Sequence, residues 1–190
     1  MSNLTPIVFS SNGMAADIYS TLLQKRIIYV GDIDKDSANS AVAQLLYLSQ
    51  LGKDPISIYI NSNGGNVTDG LSIIDTIKHV ESKGIIVATT CVGICASMGA
   101  VILAAGTKGH RSILQNSYTM IHQVSGGAMG TSSDIELAFG FMTSLGERLN
   151  SILSQYTGQT LEKVKADSNR DFYQNSEQSV AYGLCDKVVA

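Results

Sequence analysis

Residues 56–65 read Ile56-Ser57-Ile58-Tyr59-Ile60-Asn61-Ser62-Asn63-Gly64-Gly65. Ile56, Ile58 and Ile60 alternate with Ser57 and Tyr59, the two-residue period of a strand with one apolar face. The paired glycines permit a tight turn, and Val67, Leu71, Ile74 and Ile77 then share one face of a helix. Strand, glycine turn and amphipathic helix in that order make half of a βαβ unit, and the alternation recurs on both sides. Upstream, the β-branched run Ile27-Ile28-Tyr29-Val30 precedes a helical pattern over residues 34–52, with Ala38, Ala41, Val42, Leu45 and Leu46 at its repeats. Downstream, Ile85 to Val92 reads as strand and Ala96 to Ala105 as an apolar helix. Tyr118 to Ile121 reads as a short strand. Ile135, Phe139, Met142, Leu145, Leu149 and Ile152 then mark a long helix. A shorter helix (Thr160 to Ala166), another helical turn and a strand near Lys187 to Val189 follow. Strands and helices alternating at these spacings imply right-handed crossovers and a mostly parallel sheet, an α/β class.

A chain of 190 residues without linker or repeat reads as one domain, residues 1–190. Its 44% hydrophobic content against 15% charged suggests more buried surface than one subunit provides. A net charge of −3 without long runs of one sign argues against nucleic acid and against a polybasic membrane contact. The uncharged stretch Gly84 to Gly106 is long enough to span a bilayer. Its Thr89, Thr90, Ser97, Gly93 and Gly99 favour a buried strand turning into a buried helix instead. Met1 to Pro6 lacks the basic-then-apolar pattern of a secretory leader. Cys91, Cys95 and Cys185 fit no disulfide framework and have no metal-ligand spacing, so buried thiols in a reducing, cytoplasmic setting are expected.

Parallel sheets gather reacting groups at the carboxyl ends of their strands, and three such ends stand out. The turn Asn61 to Gly65 would let backbone N–H groups approach a ligand, although a plain βα turn reads as well; it lacks the spacing of a phosphate loop. Gly93-Ile94-Cys95-Ala96-Ser97-Met98-Gly99-Ala100 places a serine among small residues at a strand–helix turn. That suits a nucleophile near a helix N-terminus, and equally a serine N-cap. His122 follows an apolar strand and precedes Gly126-Gly127, whereas His79 and His110 have polar neighbours and read as solvent-facing.

Together these segments resemble the ClpP family, from about Asp17 to Val188. Ala96-Ser97-Met98-Gly99-Ala100 is similar to its nucleophile motif and Met120-Ile121-His122-Gln123 to its histidine motif. Asn61 to Gly65 matches its glycine turn, and Arg170-Asp171 with Tyr182-Gly183-Leu184 its C-terminal block. The resemblance implies a spiralled α/β unit of the ClpP/crotonase type with a protruding handle helix, the handle region spanning residues 124–155 and an N-terminal gate residues 1–16. It implies a serine endopeptidase with Ser97 as nucleophile, His122 as general base and Asp171 orienting the histidine. The amides of Gly65 and Met98 would form the oxyanion hole, and neither metal nor cofactor is needed. It also implies heptameric rings, single or stacked in pairs, with unfolded polypeptides as substrates and an AAA+ unfoldase of the Clp type as partner. Contacts between rings would involve Asn169, Arg170 and the stretch Val124-Ser125-Gly126-Gly127.

The sequence departs from the family pattern at Asn63 and Val124, where prolines are usual, at Ser57 on the unfoldase-docking surface, and at Asn169, where an acid usually stands. The segment from Phe9 to Asp17 is shorter and less charged than the family's axial loop, and about three extra residues precede the strand at Ile85. These departures support an alternative, a weakly active variant subunit working in mixed rings with a typical ClpP paralogue. A remote alternative is a crotonase-like acyl-CoA enzyme. Asp171 also has a plainer reading, a surface ion pair with Arg170.

Overall fold

The computed structural model describes residues 6–9 and 15–190; most of the expected gate segment lies outside them. Strands β1 (Ile7–Phe9) and β2 (Ala15–Asp17) pair antiparallel. Helix α1 (Ile18–Gln24) is capped by Asp17, whose carboxylate accepts from the Ser20 amide. Strand β3 (Ile27–Val30) and helix α2 (Lys35–Gln50) follow, the helix opened by a capping box between Asp34 and Ser37. The unit read first in the sequence comes next as β4 (Ile56–Ser62) and α3 (Val67–Ser82). Ile56, Ile58 and Ile60 are buried, as their alternation predicts.

Strand β5 (Val87–Ala96) starts two residues later than the sequence pattern suggests and runs on through Gly93 to the residue before Ser97. Gly93 adopts φ 80°, a left-handed backbone conformation that glycine takes without steric penalty. The continuation was not legible because Gly93 interrupts the apolar run. Helix α4 is correspondingly shorter, Met98–Ala104, and buried along its whole length. Strand β6 (Arg111–Leu114), which the apolar pattern did not mark, precedes β7 (Tyr118–Ile121). The long helix is α5 (Ser132–Thr157), started by a capping box of Thr131 and Asp134 and ended by Gly158 at φ 79°. Residues 124–130 leading into it have no regular secondary structure. Helices α6 (Leu161–Asp167) and α7 (Ser176–Tyr182) flank strand β8 (Phe172–Gln174), and β9 (Lys187–Val189) ends the chain.

The main sheet runs β3-β4-β5-β6-β9, all parallel, so the fold is α/β as expected. Near its end β5 exchanges β6 for β7: Cys91 pairs with Ile113, but Ile94 to Ala96 pair in parallel with Tyr118 to Met120. β7 in turn pairs antiparallel with β8. Helices α2, α3 and α4 pack in succession, and the core gathers their apolar faces with β3, β4 and β5. Only the C-terminal part of α5 joins it, through Ile152 and Leu153; Ile135, Leu137, Phe139 and Phe141 are exposed, so the first half of this helix projects.

One buried charge ties these layers together. Arg111 is 1% exposed and grips Asp186 through Nε (3.0 Å) and Nη2 (2.7 Å). Its Nη1 donates to the carbonyls of Ala104, at the end of α4, and Tyr156, in the last turn of α5. Burial pushes the Asp186 carboxyl up, but the Arg111 hydrogen bonds and charge outweigh it and, with the Gly109 amide, hold it at about 2. The three cysteines are buried and free. Among the described residues no helix is long and apolar enough to cross a membrane; Gly84 to Gly106 contributes β5 and α4 instead.

Candidate active site

Strand register assembles the site. Ala96 pairs with Met120 across β5 and β7, and the Ser97 amide donates to the Met120 carbonyl at 2.8 Å. Ser97 therefore stands beside the end of β7, where His122 emerges. Ile121 pairs with Phe172 across β7 and β8, so in an antiparallel ladder the next residue up one strand faces the previous residue of the other. Those residues are His122 and Asp171. Three side chains far apart in sequence meet because one short strand is shared by two partners.

Ser97 holds φ 53° and ψ −122°, a region that non-glycine residues rarely occupy and that typically costs about 1–3 kcal/mol. The strain is tolerated because the surroundings are built tightly on glycine. A Cβ on Gly64 would lie 2.6 Å from Ser97 Cβ, and one on Gly99 would lie 3.1 Å from Ser62 Cβ. Ser97 occupies the N-cap position of α4, but its hydroxyl makes no capping bond to the helix. It lies instead 2.9 Å from His122 Nε2. With Nε2 accepting from Ser97, the histidine proton sits on Nδ1, which faces Asp171 Oδ1 at 3.3 Å. This second contact is longer than the first and lacks hydrogen-bond alignment. The Asp171 side chain is 56% exposed. Among the described residues Arg170 makes no ion pair with it, so the surface salt-bridge reading finds no support.

Gly65 lines the same cavity as Ser97, and Met98 follows Ser97 in the chain. The parallel bridge between Ile33 and Gly65 uses the Gly64 carbonyl and the Asn66 amide, each at 2.8 Å from Ile33, and leaves the Gly65 N–H free of it. Met98 is the first residue of α4, and its amide has no intrahelical acceptor. Gly65, at φ 146°, approaches so closely that a Cβ there would sit 1.9 Å from the Ile33 carbonyl oxygen. The sequence reading missed Ile33 and Asp32, which anchor this turn; Asp32 accepts from the Asn63 amide at 2.7 Å. Nothing local in residues 31–34 marks them, since their partners lie some thirty positions away.

A small cavity of about 90 Å³ opens between Gly65, Ser97, His122, Ser125, Asn150 and Leu153. A larger groove of about 550 Å³ continues along Val124 to Ala128, walled by Ile135, Phe139, Met142 and Leu145 of α5. Asn169 and Arg170 are exposed beside the site, and the Asn169 carbonyl accepts from Gln123 Nε2 at 2.9 Å, next to His122. Val124 to Gly127 line the groove. His79 and His110 are exposed, as read from the sequence. Among the described residues no group of three or more histidine, cysteine or acidic side chains could hold a metal.

Comparison with known proteins gives one consistent result. The family described as Clp protease matches residues 10–190. The ATP-dependent Clp protease proteolytic subunit 2 of Synechococcus sp. (strain CC9605) is 49% identical, over 98% of this chain and 95% of the relative. A proteolytic subunit 1 from Prochlorococcus marinus subsp. pastoris is 49% identical over 98% of this chain and 96% of its own length. A proteolytic subunit 2 from Chlamydia trachomatis is 47% identical over 98% and 93%.

Proposed function

The chain belongs to the Clp protease family, and from that premise we propose that it is a serine endopeptidase in which Ser97, His122 and Asp171 act as nucleophile, general base and orienting carboxylate. The observation that carries this reading is the 2.9 Å contact between Ser97 Oγ and His122 Nε2 at a strained strand–helix turn. Ser97 attacks the peptide carbonyl as His122 takes its proton, and His122 returns that proton to the leaving amine. Asp171 holds the Nδ1–H tautomer and stabilises the imidazolium. The amides of Gly65 and Met98 donate to the oxyanion, which forms only in the transition state. Water then releases the acyl group by the same steps in reverse roles. The family match displaces the crotonase-like alternative. Ser97→Ala tests the assignment: labelling by a fluorophosphonate and cleavage of a fluorogenic peptide should both disappear. Triad losses typically lower turnover by about 10⁴–10⁶. Retained cleavage in a preparation free of host peptidase would refute it.

The reading extends to assembly. Exposed Ile135, Leu137, Phe139 and Phe141 on α5 support burial by further copies, in heptameric rings that enclose the site. An AAA+ unfoldase of the Clp type would feed unfolded polypeptide to such a chamber in the cytoplasm.

A second reading, a variant subunit of mixed rings beside a ClpP paralogue, has one observation in its favour. The His122–Asp171 contact is 3.3 Å and unaligned in the isolated chain, and the adjacent Asn169 and Arg170 are exposed. A neutral Asn169 offers Arg170 of a facing ring a weaker partner than an acid would, since charge-assisted bonds are roughly twice as strong. Sedimentation and peptidase rate, with and without a typical paralogue, separate the readings. A stable double ring with full activity alone would exclude the second.

A further inference from the structure

Two buried thiols flank a bulge immediately before Ser97, and no step of the proposed reaction uses them. Cys91 pairs with Ile60 of β4 and Cys95 with Ser62, so four residue steps on β5 oppose two on β4. The surplus of two residues falls within Val92-Gly93-Ile94, where Gly93 is exposed and Ile94 pairs with Tyr118, and the two cysteines stand at either end. Two steps along a parallel strand span about 6.6 Å. That falls within the Cα separation of roughly 4.4–6.8 Å that a disulfide bridges. Both side chains enter the same buried core. Cys91 Sγ leans on the Tyr118 carbonyl and Cys95 Sγ on the Ile60 carbonyl, each at 3.5 Å, weak contacts that a bond between the sulfurs would replace.

We propose that Cys91 and Cys95 form an oxidisable dithiol, and that a peroxide converts it to a disulfide which displaces Ser97 from His122. One thiol loses its proton and its thiolate attacks a peroxide oxygen; the O–O bond breaks, a sulfenic acid forms, and the departing hydroxide takes up that proton and leaves as water. The second thiol attacks the sulfenic sulfur, the S–S bond forms and a second water leaves. The two sulfurs together lose two electrons, and the peroxide takes them.

Reaction is slow while the strand is closed. Burial, and then the hydrogen bond with Cys91, raise the Cys95 thiol well above its ordinary range, so little thiolate is present. Access comes through the bulge. The Gly93 amide donates to Ser117 Oγ at 2.8 Å and the Ile94 amide to Asn61 Oδ1 at 3.3 Å, side-chain bonds, the second of them exposed, that open more readily than a ladder. The consequence follows from register. Cys95 and Ala96 pair with Thr119 and Met120, and the Ser97 amide is bonded to Met120. Drawing Cys95 toward Cys91 shifts the strand that aims Ser97.

The effect on Ser97 rests on its role as the reactive serine; the bridge does not, and the two are measured separately. Purified full chain is treated with hydrogen peroxide, free thiols are alkylated, and the peptide spanning residues 91–95 is examined by mass spectrometry. The expected product is that peptide unalkylated and lighter by two hydrogens. Fluorophosphonate labelling of Ser97 should fall roughly tenfold or more, because a misplacement near 1 Å can cost about a hundredfold, and dithiothreitol should restore it. Cys95→Ala and Cys91→Ala should keep their labelling in peroxide, and Cys185→Ala should behave as the parent chain. No bridge, a bridge to Cys185, a bridge with undiminished labelling, or equal peroxide loss in Cys95→Ala would each overturn the proposal. If the untreated chain does not label at all, the serine assignment fails, whatever the mapped bridge.

Discussion

Replacing Gly65 by alanine tests the oxyanion turn at its tightest point. Gly65 sits at φ 146°, and an added Cβ would lie 1.9 Å from the Ile33 carbonyl oxygen and 2.7 Å from its carbon. Both are backbone atoms, so no side chain can rotate away. A carbon and an oxygen need more than 3 Å, so either the turn or the Ile33 segment moves by about 1 Å or more, and the bridge holding them loosens. The backbone conformation itself is nearly glycine-only and adds roughly 1–3 kcal/mol of strain. On the proposed role of the Gly65 amide as an oxyanion donor, displacing it should cost roughly 3–4 kcal/mol in the transition state, or about 10²–10³ in turnover. The assay is steady-state hydrolysis of a fluorogenic peptide, with thermal unfolding measured in parallel. Gly84→Ala serves as the control, since Gly84 has φ 77° but nothing within 4 Å of an added Cβ. It should lose some stability and keep its turnover. A folded Gly65→Ala protein with turnover close to the parent's would refute the role given to this amide.

Asp171→Asn should lower turnover strongly with little change in unfolding temperature, because Asp171 is half-exposed and its partner among the described residues is His122; an unchanged rate would return it to a surface role. Arg111→Met should destabilise the chain in urea denaturation, because it removes the buried partner of Asp186, leaving only Lys108 and the backbone amides of Gly109 and residue 111 among the described contacts, and frees the carbonyls of Ala104 and Tyr156. The same pair sets an acid limit. Asp186 is held at about 2 against an unfolded value of 3.8, so its contribution is complete above about pH 4 and disappears as the pH falls toward 2. Stability measured across that window should lose this component in the parent chain and show no such component in Asp186→Asn.

Hydrophobic period by itself determined the class and most elements of this protein. β4, α2, α3 and α5 stand where alternation or helical spacing placed them, because each has one apolar face against a core and the pattern is written along consecutive residues. Segments whose apolar face is brief or absent were not legible. β8 has three residues, and β6 opens with Arg111, a charge whose burial depends on Asp186 seventy-five positions away. The candidate site divides in the same way. Ser97 and His122 stood out because small residues and glycines surround strand ends, a local signal. Whether Ser97 capped a helix or met a histidine was decided by the pairing of Ala96 with Met120, and the encounter of His122 with Asp171 by that of Ile121 with Phe172. The 1.9 Å approach of Gly65 to Ile33 likewise belongs to neither segment alone. Sequence pattern records what each residue does to its neighbours in the chain, whereas strand register is settled only when the whole sheet closes on its core. The chemistry of this protein depends on register.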